Sequence, residues 1–166
     1  MSQLETCPGC GAVLPAIEGG ATHRYMTSSA ACWAAFNSLS MLENGAFSDL
    51  AVDAFALHHP GTPSPQTVQS VAIHLMVLHG IVEREFAPSQ ALWLRQRPGR
   101  PSRTAKHERF HWLTPPDLAR GITVSNVIAG ATPLEKWVNE VYALWSAPHE
   151  AQISVWFERY ILAEKI

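Results

Sequence analysis

The chain has 166 residues, 47% of them hydrophobic and 16% charged, which suits one globular domain that buries its core without disulfide support. A net charge of -2 leaves no global field to draw it to nucleic acid or anionic lipid, so binding of that kind would have to be local. Three cysteines, an odd number, argue against a disulfide framework and suit a reducing compartment.

No basic start followed by an apolar run and a small-residue cleavage site is present at the N-terminus, so no secretion signal is read there. The segment carries instead "ETCPGCGAVLP", with Cys7 and Cys10 on either side of a Pro-Gly turn. Residues 1–27 show no helical period and read as an irregular lobe. Helices are expected over 28–94. Ser28 or Ser29 can cap the first, with Cys32, Phe36 and Leu39 on one face, Trp33 beside them and Asn44-Gly45 as the stop. The second starts at Ser48, places Leu50, Ala54 and Leu57 at helical spacing, and is ended by "HHPGTPSP". Ser64 and Pro65 open the third, whose Val68, Val71, Ala72, Leu75 and Leu78 form a stripe with Ile73 and Val77 on the other side. A helix apolar nearly all round should be the central one. Its stretch "VAIHLMVLHGIV" is interrupted by His74 and His79 and falls short of the ~20 residues that a spanning helix needs. A cytoplasmic protein away from membranes is therefore expected.

"APSQALWLRQR" reads as a short helix, and residues 95–116, rich in Pro, Gly and charge, as an exposed basic loop. In the C-terminal helices, 117–166, Thr123 caps a brief turn, and "TPLEKWVNEVYALW" carries a Thr-x-x-Glu capping box with Pro133 at the first helical position. Trp137, Val141, Leu144 and Trp145 form its buried face. Pro148 is expected to break or restart the helix, with His149, Ile153, Trp156 and Tyr160 lining the last segment. With no strand of convincing alternation and no repeat, the expected fold is all-α: a bundle-like single domain with a small irregular N-terminal zinc-binding lobe.

The two sulfurs of a C-P-x-C-G turn converge on one metal, backbone N–H groups within the turn stabilise the first thiolate, and Gly11 accepts the positive φ of the exit. A redox pair is the rival, but a redox CxxC normally opens a helix after a buried strand in a βαβ unit, and neither neighbour is found here. Zinc in a closed structural site takes four ligands. Cys32, in the first turn of the next helix, is the candidate third, its alternative being a small core residue. His23 is the candidate fourth, its alternative a surface or loop-bonding histidine. The order is then C-x2-C, twelve residues, His, eight residues, Cys, as in compact Cys3His sites. Water or a more distant histidine is the other choice for the fourth place.

Asp53 falls on or beside the apolar face of the second helix, and a buried carboxylate needs a partner. His59, His74 and His149 are the candidates. Together the four residues could build a second His/carboxylate metal site, against the simpler reading of an Asp–His bond with histidines satisfied at helix ends. His58 and His79 are read as surface and helix-terminal residues. Half of the Lys and Arg residues, namely Arg95, Arg97, Arg100, Arg103, Lys106 and Arg109, lie in the basic loop, with Trp93, Phe110 and Trp112 at its margins. Such a run is usually a solvated segment, and its alternative is an anion or nucleic-acid contact.

The stretches "CPGCG", "THRYMTSSAACWAAF", "VDAFALHHPG", "QSVAIHLM" and "FHWLTPP" resemble, in this order and over most of the chain, a family of small uncharacterised bacterial proteins of the DUF5946 type. The resemblance implies that the Cys7, Cys10, His23 and Cys32 set and the Asp53, His59 and His74 set belong to one recurring plan. It implies no activity. Three functional readings follow: a zinc-binding helical protein with a structural Cys3His site, a metal-dependent hydrolase-like enzyme at the internal Asp/His set, and a nucleic-acid-binding accessory protein acting through the basic loop.

Overall fold

The computed structural model describes residues 2–42, 45, 47–98 and 109–163 of the chain. It opens on an element not expected from the sequence, a hairpin of β1 (Leu4–Thr6) and β2 (Val13–Pro15) that pairs Leu4 with Pro15 and Thr6 with Val13. Three-residue strands are too short to show a period of two. What specifies them is the turn between: the Cys7 N–H donates to the Ala12 carbonyl at 2.8 Å, and the Gly11 N–H to the Cys7 carbonyl at 3.0 Å. Gly11 has φ +76°, the conformation that glycine accepts and that the motif requires.

Helix α1 spans Ala30–Leu42. Ser29 is its cap, the hydroxyl accepting from the Cys32 N–H at 3.1 Å, while Glu5 on β1 accepts from the Ala31 N–H at 3.1 Å. A carboxylate and a hydroxyl thus satisfy donors at the positive end of the helix and tie the hairpin to it. Asn44 of the expected stop lies outside the described residues.

A 3-10 turn, Ser48–Leu50, leads into α2, Ala51–His58, which is buried on nearly every side. Helix α3, Pro65–Val82, starts at the expected place: Ser64 accepts from the Thr67 N–H at 3.1 Å, and Thr67 accepts from the Ser64 N–H at 2.8 Å. Its central role is also as expected, since it packs against α2, against α4 (Ala91–Gln96) and along α6 (Leu134–Phe157). The short α5, Val124–Ile128, lies between Thr123 and the turn before α6 and packs on α1.

Three expectations change in the C-terminal half. Helix α6 begins after Pro133 as its N-cap, so Thr132 makes no box, and it runs straight through Pro148 into a π turn at Glu158–Leu162. An interior proline costs about 3 kcal/mol. Here Pro148 is exposed, and Tyr142, Trp145, Ile153 and Trp156 are buried on either side of it, so packing holds the helix together across the break. The segment read as an exposed loop is also not free where it is described: residues 110–116 form neither helix nor strand, yet Phe110 and Leu113 are buried, as is Leu118 just after them. Regular spacing is absent there because each apolar side chain fills its own gap. Residues 99–108 lie outside the described residues. Among the described residues no helix is long and apolar enough to cross a membrane.

Candidate metal centre

Two indole N–H groups of α6 fix the end of α2. Trp145 donates to the Leu57 carbonyl at 2.9 Å, and Trp137 donates to His58 Nδ1 at 3.2 Å. Because an indole can only donate, His58 Nδ1 accepts and Nε2 carries the proton, which goes to the Leu118 carbonyl at 2.8 Å. The residue read as a surface histidine is therefore fully buried, and burial, with a smaller push from His59, lowers its pKa to about 4.

With His58 turned toward α6, the next residue faces the other way. His59 leaves the helix at φ −135°, ψ 62°, and its Nδ1 donates to the Phe55 carbonyl at 2.8 Å. A carbonyl can only accept, so Nδ1 holds the proton and Nε2 presents a lone pair. That lone pair is 3.4 Å from Cys32 Sγ. Cys32 Sγ is in turn 3.7 Å from Cys10 Sγ. Cys7 completes the set: donor atoms of Cys7, Cys10, Cys32 and His59 all lie within 4.8 Å of one another, and all four residues are buried.

These spacings fit a tetrahedral ion. With Zn–S at about 2.3 Å and Zn–N at about 2.0–2.1 Å, tetrahedral angles put sulfurs about 3.8 Å apart and sulfur about 3.6 Å from nitrogen. The three cysteines are free thiols rather than a disulfide. Hydrogen bonding from Cys10 and Cys32 draws Cys7 far below the usual thiol range. Cys10 is lowered by Cys32, but raised more by Cys7 and burial together, and ends pushed up to about 12. Cys32 is raised by hydrogen bonding with Cys10 and Cys7 and by burial. One thiolate forms readily and the next two resist, which is the charge distribution that a divalent cation relieves. The Ser29 N–H, at the start of α1, points at Cys7 Sγ from 3.4 Å and adds to the stabilisation of its charge.

Among known proteins, the model of a family of unknown function, DUF5946, matches residues 5–146. The chain belongs to this family. No curated protein and no solved structure matches it. The matched span contains all four donors of the DUF5946 chain.

Of the sequence-derived donors, Cys7, Cys10 and Cys32 come together and His23 is not with them. His23 Nδ1 instead accepts from the Tyr25 N–H at 3.2 Å, and its ring lies against Trp33. The fourth donor of the cluster is His59, the more distant histidine, because the end of α2 is brought down on the Cys7–Cys10 turn. Sequence offered one signal for this. A histidine four residues after Phe55 and just before Pro60 has a helix carbonyl within reach of its Nδ1, which leaves Nε2 to a ligand.

The second cluster does not converge. Asp53 is fully buried, and His74 Nδ1 donates to one of its oxygens at 2.6 Å. Arg95, from α4, fills the rest: its Nε donates to the same oxygen at 3.0 Å and its Nη2 to the other at 2.7 Å, and it also reaches the Asp49 carbonyl. His59 is in the sulfur set, and His149 Nε2 donates to the Thr114 carbonyl at 2.7 Å. The simpler reading, a paired core carboxylate, describes Asp53, with an arginine from the run read as a solvated segment. Arg97 is likewise engaged, its Nε donating to the Ile161 carbonyl at 3.1 Å, while Arg100, Arg103 and Lys106 lie outside the described residues. His79 lies in the last turn of α3, as read, and is buried there, bonded through Nδ1 to the Tyr142 hydroxyl at 2.7 Å.

Proposed function

We propose that this chain is a zinc-binding helical protein in which Cys7, Cys10, Cys32 and His59 form a closed structural centre. The observation that carries the reading is the convergence of four buried donors from three separate parts of the chain at tetrahedral spacing. Three soft sulfurs and one imidazole favour zinc over hard cations such as magnesium or calcium. Four protein ligands fill the coordination shell, so the centre has no open position for a substrate, and its role is to fasten the hairpin and the start of α1 to the end of α2.

Metal analysis of the purified protein, with the anomalous signal of a crystal at the zinc edge, tests this directly. One equivalent of zinc bonded to these four residues is expected. A metal-free protein whose Cys7 and Cys10 cycle through a disulfide would favour the redox alternative.

A further inference from the structure

The four ligands are buried, and the way in for a metal is not evident from the ligands themselves. A cavity of about 80 Å³ lies against the set. It touches His59 and none of the three cysteines; His23, Tyr25, Gln66, Thr67 and Ser70 make up much of the rest of its wall. Tyr25 and Gln66 are exposed, so the cavity meets solvent on their side. A water needs roughly 10–15 Å³ of such space, so the cavity has room for several waters and for a cation that retains part of its hydration.

Elsewhere the His59 ring is closely packed. A Cβ added to Gly9 would lie 2.6 Å from His59 Cδ2, and the ring centroid is 4.1 Å from that of Phe55. The cavity gives the ring space where it lines the wall. His23, half-buried in the same wall, has an Nδ1 whose lone pair, among the described residues, accepts from the Tyr25 N–H at 3.2 Å, a long and exposed bond. Since that N–H can only donate, Nδ1 is already unprotonated there, the state in which an imidazole binds a metal.

We infer that His23 is a transient metal-capture ligand, and that zinc reaches and leaves the cysteines through this cavity by exchange between His23 and His59. The inference rests on the proposed zinc centre. In the bound state His23 carries no metal, so its removal changes the rate of exchange and not the equilibrium.

The test uses the zinc-loaded protein and its His23→Ala and His23→Gln variants. Zinc release to a chromophoric chelator is followed where the rate no longer depends on chelator concentration, and the dissociation constant is obtained by equilibrium competition. Release severalfold slower in both variants with an unchanged dissociation constant is expected, and by microscopic reversibility uptake slows by the same factor. Unchanged release, or a weakened dissociation constant with unchanged or faster release, would overturn the inference and leave the zinc centre standing. A wild-type protein that binds no zinc would overturn the centre, and this inference with it.

Discussion

Cys32 Sγ and His59 Nε2 are 3.4 Å apart although 27 positions separate them in the chain. One sits at the start of a helix and the other just past the end of the next, so both are held by helix termini rather than by a loop. His59→Ala should therefore lower zinc affinity sharply: loss of an outer partner of a ligand already costs about 10–100-fold, and loss of the ligand itself should cost no less. His23→Ala should leave both stoichiometry and equilibrium affinity unchanged. Competition with a chelator of known affinity separates the two, and equal losses would return His23 to the ligand set.

Removal of the metal should loosen the N-terminal part and spare the helical body. The hairpin depends on the knuckle, on Glu5 and on three-residue strands, whereas α3 and α6 pack along each other and bury Trp137, Tyr142 and Trp145. Structural zinc contributes on the order of 10 kcal/mol in small peptides, but the core here has its own apolar support. Amide exchange after chelation should speed up in residues 2–28 and stay slow in the middle of α3. Uniform loss of protection would mean that the zinc organises the whole fold.

The sequence carried the local part of this centre and not the tertiary part. "CPGCG" specifies its own turn, including the positive φ at Gly11, and the Ser64-Pro65 start of α3 is a matter of caps and fixed φ; both were legible because the interactions that set them lie within a few residues. The identity of the fourth donor depends on where α6 pins α2 through Trp137 and Trp145, contacts that span 79 and 88 positions and leave no periodic trace. The same holds for Arg95 on Asp53, 42 positions away, which looked like one charge in a basic run. Residues 110–116 read as an exposed loop for a related reason: an irregular segment buries its apolar side chains one at a time, and composition rules see only its prolines and charges.

Breaking the Asp53 network should be costly, and unevenly so. The carboxylate is fully buried while its partners are only partly exposed. Arg95→Leu leaves it without its cation and is expected to cost roughly 3 kcal/mol, whereas His74→Gln keeps the charge balanced and should cost about 1 kcal/mol. Urea unfolding checks both values. His58→Ala should be costly as well, because His58 is itself buried between Trp137 and Leu118. Small equal effects at Arg95 and His74 would mean that water reaches Asp53 on unfolding fluctuations.

Acid should destabilise the fold partly through His79. Burial first, and then Arg84, lower its pKa, with Glu150 and Glu158 opposing. The neutral form is the one the fold favours. Below the ordinary value of about 6.5 the unfolded chain takes up a proton that the folded chain resists, so the contribution is complete above that pH and is lost progressively as pH falls from it to the lower value of the folded state. His79→Gln, neutral at every pH and able to bond Tyr142, removes this contribution. The stability of the wild type should fall more than that of the variant between about pH 8 and about pH 5. Parallel pH profiles would show that His79 does not titrate differently in the two states.

Gly9 offers a way to disturb the centre without touching a donor. Its φ is not positive, so conformation does not demand glycine there; space does. A Cβ would lie 2.6 Å from His59 Cδ2 and closer still to the Thr27 carbonyl oxygen, and the latter is backbone that cannot swing aside. Gly9→Ala should push His59 away from the sulfurs and lower zinc affinity in the direction of His59→Ala, while the spectrum of the helical body stays unchanged. Gly19→Ala is the control: Gly19 has φ +64° with nothing within 4 Å of the new methyl, so it carries about 1–2 kcal/mol of left-handed strain and no steric conflict at the metal. Chelator competition on the two variants should show weakened binding in the first and wild-type binding in the second. Wild-type affinity in Gly9→Ala would mean that His59 is held less tightly between Gly9 and Phe55 than their contact distances require.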